Sequence, residues 1–282
     1  MTTQIKEAHY FLNSTADYKL WLNIGCDGIS LVVTNMARHV LYWHSTPFEA
    51  RVSPQQLHRK VQAWAADQAV LQRHFADIHI AVYFPQTILV PDAWFEPYHA
   101  RTYLTRTIGD DLIDMVARSE HAAAYDLHLV YGLPQPLLHT LNTLFPNAKV
   151  RHSFTKLLSG IQYMARAQRG TFVYALTHTN ALTLIVADSE KLYLMNTYAY
   201  LSARDYLYYV MLVYQELGLD TAVVPLVMAG DIVSDSEIVK MMSPYIGSIS
   251  WAQRPSGVIV GEAAKYSMPA HFHNELLYQI VG

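Results

Sequence analysis

The chain has 282 residues, 52% of them hydrophobic and 15% charged, which supports a substantial core and excludes a disordered composition. Its formal net charge of −3, with lysines and arginines scattered, gives no electrostatic footprint for nucleic acid or an anionic membrane surface. The one cysteine, Cys26, permits no intramolecular disulfide, and no apolar run reaches the roughly 20 residues that a membrane span needs. With no basic-then-apolar leader pattern, a cytoplasmic location is expected.

The first 18 residues are polar and read as a lead-in. Residues 19–24 are an apolar run, Gly25-Cys26-Asp27-Gly28 a turn and 29–34 a second run, which together have the pattern of a hairpin. A third strand is expected over 40–45. Ser53 as cap, Pro54 at the first position and Gln56 at the third then start a helix, with Leu57, Val61, Trp64, Leu71 and Phe75 as its buried stripe. Residues 77–84 alternate, so Ile78, Ile80, Val82 and Phe84 share one face of a strand. Residues 87–90 are extended, Pro97 interrupts 92–107, and 115–122 with 125–131 read as a hairpin. A helix over 136–144, a strand over 149–152 and a helix over 153–167 complete the first half.

The second half repeats this grammar. Strands are expected over 172–177, 181–187 and 191–196, with turns at Thr179-Asn180 and Asp188-Ser189-Glu190. Ser202 as cap and Asp205 at the third position open a helix whose apolar face carries Tyr206, Tyr209, Val210, Val213 and Leu217, while Tyr208 falls off that face. A strand over 222–228, a turn at Gly230-Asp231, a helix over 234–242 capped by Ser234, a strand over 245–250, a loop over 253–264 and a closing helix over 271–281 follow. Residues 29–33 fall on 182–186 and 40–43 on 192–195. We read a duplicated α/β domain, with lobes at 1–168 (insertion about 86–131) and 169–282, each a mixed sheet with flanking helices.

Two copies of this order resemble the actin, Hsp70 and sugar-kinase superfamily, whose paired ribonuclease H-like lobes hold a nucleotide between them. More narrowly, three features resemble a bacterial family known as domain of unknown function 3822, whose members are reported to have an actin-like ATPase fold. These are Thr87-Ile88-Leu89-Val90-Pro91-Asp92-Ala93-Trp94-Phe95, Tyr198-x-Tyr200 followed by Asp205-Tyr206-Leu207-Tyr208-Tyr209, and the Val227 to Gly230 turn followed by Tyr245-Ile246. The resemblance implies a cleft with Asn23, Gly25, Asp27 and Gly28 on one lobe and Thr177, Thr179, Gly230 and Asp231 on the other. Working members place an acid on the first hairpin to organise Mg²⁺ waters and glycines in the second to admit phosphate. Here the acidic position is Asn23, the second hairpin has no glycine, and the paired glycines of the adenosine turn have become Ala229-Gly230-Asp231. The expectation is therefore a degenerate cleft with no cofactor, ATP and Mg²⁺ being disfavoured, in a non-catalytic protein that binds a protein partner or itself. The competing class is an ATPase or phosphotransferase with unorthodox cleft residues.

Other chemistry finds less support. Among fourteen histidines the tightest pair is His271-x-His273, without an HExxH motif or a carboxylate–histidine cluster, so structural histidines and no metal are expected. Cys26 reads as a packing residue, and neither Ser159-Gly160 nor Ser256-Gly257 has the GxSxG form of a nucleophile elbow. The tyrosines crowded between 198 and 214 fit a helix lying under the second sheet better than an interface.

Overall fold

The computed structural model describes residues 3–7, 12–109, 114–168, 170–262 and 268–282. Its contacts fall into two units: Met1–Leu157 with Pro255–Met268 and Glu275–Gly282, and Leu158–Arg254 with Pro269–Asn274. Among the described residues no helix is long and apolar enough to cross a membrane.

The first unit begins with β1 (Thr3–Lys6), β2 (Lys19–Gly25), β3 (Gly28–Thr34) and β4 (His39–Pro47). The last three form an antiparallel meander. The lead-in expected over residues 1–18 instead supplies β1, an edge strand on β4 with buried Ile5 opposite Trp43. A four-residue strand with a single apolar side chain carries no periodicity to read. The helix expected from Ser53 is shorter than its pattern. Ser53 makes no side-chain cap, a 3₁₀ turn precedes α1 (Leu57–Ala66), another at Ala69–Gln72 holds Leu71, and Phe75 lies in the irregular segment after it. β5 (Asp77–Tyr83) then lies parallel to β2 and is buried on both faces from Ile80 to Tyr83.

A separate antiparallel sheet follows, with β6 (Thr87–Pro91), β7 (Met115–Ala122) and β8 (Leu127–Pro134) in the order β6-β8-β7. It is covered by α2 (Ala100–Ile108), whose Ala100 and Leu104 pack with Val90 and Val130. The 115–131 hairpin is as expected. Glu120 of β7 accepts from the Tyr131 hydroxyl of the neighbouring β8 at 2.6 Å, and ties this sheet to the rest of its unit by accepting from the His152 N–H at 2.8 Å and the Thr155 hydroxyl at 2.6 Å. α3 (Gln135–Leu144), β9 (Lys149–His152) and α4 (Ser153–Gln168) follow, with β9 parallel to β5. The main sheet thus runs β1-β4-β3-β2-β5-β9.

The second unit contains β10 (Phe172–His178), β11 (Ala181–Ala187) and β12 (Leu192–Ala199), again an antiparallel meander. Every residue of β10 and β11 is buried, which explains runs of apolar residues in place of alternation. α5 (Ala203–Glu216) opens on a capping box. The Asp205 N–H donates to Ser202 Oγ at 3.2 Å, and the Ser202 N–H donates to Asp205 Oδ2 at 3.0 Å. Tyr206, Val210 and Val213 are buried and Tyr208 is 61% exposed, as the helical spacing requires. β13 (Leu226–Gly230), α6 (Glu237–Met242) and β14 (Ile249–Trp251) complete the sheet, with β13 parallel to β10 and β14 parallel to β13.

Several boundaries shift. The apolar stretch from Ala222 becomes a strand only at Leu226. The carbonyl of Asp220 takes the Val223 and Val224 N–H groups, its carboxylate takes that of Ala222, and the turn wins over β propensity. Ser236, not Ser234, caps α6, accepting from the Val239 N–H. Tyr245 and Ile246 donate back to the Met242 carbonyl, so strand structure waits until Ile249. In the expected 253–264 loop, β15 (Ile259–Val260) pairs parallel with β4. The final helix, α7 (Asn274–Val281), starts three residues late, after a turn with His273 at φ +54°.

The second sheet runs β12-β11-β10-β13-β14, and β4-β3-β2-β5-β9 follows the same path in the first. Each is three antiparallel strands continued by two parallel ones, a ribonuclease H-like path occurring twice in one chain.

Candidate functional site

In the first unit the candidate residues lie along the β2–β3 hairpin. Asn23 is half-buried in β2 and donates through Nδ2 to Glu275 Oε1 at 3.1 Å. Glu275, on α7, is 4% exposed. Among the described residues neither its Oε2 nor Asn23 Oδ1 has a hydrogen-bond partner. A carboxylate therefore does stand at this strand end, but it comes from position 275. That placement gives a reason for the amide at 23. An aspartate there would put two carboxylates about 3 Å apart with little water to screen them, whereas an amide donating to a carboxylate is a favourable, charge-assisted bond.

The turn itself is engaged by backbone. Phe48 and Val52 donate to the Asp27 and Cys26 carbonyls, each at 2.8 Å. Packing accounts for the glycines: a Cβ at Gly28 would sit 2.9 Å from the Thr46 carbonyl, and one at Gly25 would sit 2.7 Å from Asp27 Oδ1. Cys26 is buried, and desolvation pushes its thiol up to about 11, which suits the expected packing role and not a nucleophile.

In the second unit three of the four candidates meet. Thr177 stands opposite Gly230 in the β10–β13 register, and its carbonyl accepts the Asp231 N–H at 2.8 Å. Thr179 lies two residues further on, exposed at the hairpin tip. Tyrosines close over this corner. Thr177 Oγ1 and the Tyr206 hydroxyl lie 2.9 Å apart, and the Tyr200 hydroxyl donates to the His178 carbonyl at 2.8 Å. The two rings meet edge-on at 5.3 Å. Burial, and then the Asp231 charge, push the Tyr200 hydroxyl up to about 12, and burial pushes that of Tyr206 higher, so both remain neutral. The Thr177, Tyr200 and Tyr206 hydroxyls are thus engaged inside the unit, while Thr179 is exposed. Tyr206→Phe leaves the fully buried Thr177 hydroxyl without its partner and should cost about 1–3 kcal/mol in a urea melt. A change below a few tenths would show that the pair contributes nothing.

His271, expected to be structural, bonds through Nε2 to the Ile232 carbonyl at 2.7 Å. Glu275 was not foreseen. Its only signal is local: Asn274, Glu275 and Gln279 are polar residues in a helix that is buried from Asn274 to Ile280.

Sheet path and strand-end positions define a protein of the actin-like ATPase fold. The comparisons agree. One solved structure, described as a protein with actin-like ATPase fold and unknown function from Bacteroides thetaiotaomicron VPI-5482, superposes with a TM-score of 0.80 at 14% identity, covering 98% of this chain and all of that one. A second, from a PilM–PilN type IV pilus biogenesis complex, has a TM-score of 0.60 at 12% identity over 94% of this chain and 98% of that one. No curated protein matches. The model of the family described as "Protein of unknown function (DUF3822)" matches residues 8–249, and the chain belongs to that family.

Proposed function

We propose that this protein is a non-catalytic member of the actin-like fold that works by binding a protein partner or a second copy of itself, its nucleotide positions having degenerated. The observation that carries this reading is the state of Asn23: the residue that would organise Mg²⁺ is an amide whose donor is committed to Glu275. The second hairpin supports it, because Thr177 is tied to Tyr206 and the turn after it has no glycine for a triphosphate to approach. The PilM–PilN complex shows that one protein of similar fold assembles with another. Large apolar side chains left in solvent, Trp94 and Tyr98 above all, suit a partner surface. The repeated sheet path supports the further reading that the lobes arose by duplication.

The second reading, an ATPase with unorthodox residues, draws on one observation: the buried Glu275 oxygen without a partner, which a cation could use. Equilibrium titration of the full chain with labelled ATP in the presence of Mg²⁺ separates the two. No saturable binding is expected. Tight, Mg²⁺-dependent binding that is lost in Asp27→Ala, Asp231→Ala and Glu275→Gln would replace the first reading with the second.

A further inference from the structure

The three-stranded sheet of the first unit carries a constellation that the nucleotide positions do not involve. His121 of β7 and His128 of β8 are direct cross-strand partners, so the register alone sets their rings side by side, with centroids 5.1 Å apart. Asp92 follows β6, which pairs with the other edge of β8. Its N–H donates to the Asp126 carbonyl at 2.9 Å, in a turn where Asp126 holds φ +50°. Asp92 Oδ1 consequently lies 2.8 Å from His128 Nε2 and 3.8 Å from His121 Nε2. One ligand atom from each of the three residues falls within 4.8 Å of the others. The Phe95 ring stacks on His128 at 3.8 Å and 8°, fixing the imidazole in the orientation that points Nε2 at the carboxylate.

A hydrogen bond between Asp92 and His128 accounts for only half of this. It gives no role to His121, whose Nε2 converges on the same oxygen. Two imidazole nitrogens from neighbouring strands and one carboxylate oxygen from the turn after a third, gathered within 4.8 Å of one another, are what a metal ion needs. The donor set selects the cation. Imidazole with a single carboxylate suits the borderline first-row divalent ions, zinc foremost, while Mg²⁺ and Ca²⁺ call for more oxygen ligands. Three protein ligands at an edge where Asp92 and His121 reach solvent leave at least one coordination position for water or a ligand group, the arrangement of an open zinc site.

We propose that Asp92, His121 and His128 bind a first-row divalent transition metal, zinc as the type ion, independently of the nucleotide positions. The motif eluded sequence reading because Asp92 joins the pair only through the sheet, although His121 and His128 flank a turn inside an expected hairpin.

The test is isothermal titration of the full chain with Zn²⁺, repeated with Co²⁺ followed by its visible absorption. One ion per chain is expected. Loss of partners that only orient a ligand costs about 10–100-fold in affinity, so losing a ligand itself, in Asp92→Asn, His121→Ala or His128→Ala, should weaken binding at least that much. His99→Ala, in the same insertion but outside the constellation, should leave it unchanged. His121→Ala is the decisive variant, because its exposed position should leave the metal-free melting temperature at the wild-type value. Zn²⁺ should raise the wild-type melting temperature by mass action and not raise that of His121→Ala. No saturable binding by the wild-type chain, or binding that survives in both His121→Ala and His128→Ala, would overturn the assignment.

Discussion

Replacing Gly230 by alanine should destabilise the chain by about 4 kcal/mol, a large part of the roughly 5–15 kcal/mol that a folded protein typically holds. Gly230 sits at φ +87°, a conformation that costs an L-residue about 1–3 kcal/mol. A Cβ there would lie only 2.1 Å from the Thr177 carbonyl oxygen. That oxygen belongs to a neighbouring strand and accepts from Asp231 at 2.8 Å, while Gly230 itself donates to the His271 carbonyl at 2.9 Å. No flexible side chain can yield, so relief must part β10 from β13 and loosen hydrogen bonds worth about 1 kcal/mol each. Gly218→Ala is the matched control, with φ +62° but nothing within 4 Å of the added Cβ, and should cost about 1 kcal/mol. Urea melts of both variants decide the matter: equal losses would mean that conformation alone, not the contact with Thr177, fixes Gly230. The result also bears on function. This glycine stands where the resemblance expects the adenosine turn, and a packing requirement accounts for it without any nucleotide.

What could be read from residues alone was what lies close together in the chain. The capping box from Ser202 to Asp205 spans four residues, and the two meander hairpins have their turn formers between apolar runs, so local chemistry sufficed for both. The recurring order of strands and helices likewise made the α/β class and the actin-like path legible. The start of β13 failed for a local reason: Asp220, two residues before Ala222, takes three N–H groups into a turn and overrules β propensity. Strand β1 failed because its burial is decided by Trp43 across the sheet. For the candidate site, the residues at the strand ends could be named from the resemblance, but their state could not. The partner that explains Asn23 lies 252 residues away, and the tyrosines that occupy Thr177 and the His178 carbonyl come from α5 and the segment before it. Pairings at such separations are set by topology, which one sequence does not display.

A second large effect should appear on acidification, and it turns on His152. This residue is completely buried at the end of β9, and burial pushes its imidazole down to about 4, against a weaker opposing pull from the Phe84 carbonyl. The hydrogen bonds fix its tautomer. Nδ1 faces the Phe154 N–H at 3.2 Å and so accepts; the ring hydrogen then sits on Nε2 and goes to the Phe84 carbonyl at 3.0 Å, in preference to Nε2 accepting the longer approach of the Phe84 N–H at 3.3 Å. A second ring proton would face the Phe154 N–H. The unfolded chain takes up that proton near pH 6.5, its ordinary value, and the folded chain refuses it until about pH 4. The stabilisation is therefore whole above about pH 6.5 and drains as pH falls toward 4, at about 1.4 kcal/mol per pH unit, for a total near 3 kcal/mol. His79, also pushed down to about 4 by burial, acts in the same direction, with its share reduced by contact with solvent. The carboxyls of Asp77, Asp188 and Asp205 are held low by hydrogen bonds, first among them those from Lys149, Tyr193 and the Leu201 N–H. Their contribution is lost only below the ordinary carboxylate value, about pH 4, so the windows separate. Urea melts at about pH 7, 5.5 and 4.5 should show wild-type stability falling across the series. His152→Gln, whose amide can both accept from Phe154 and donate to Phe84 but does not titrate, should fall much less. Parallel losses in the two proteins would remove His152 as the cause and leave the acid sensitivity to His79 and His271, both held low by burial.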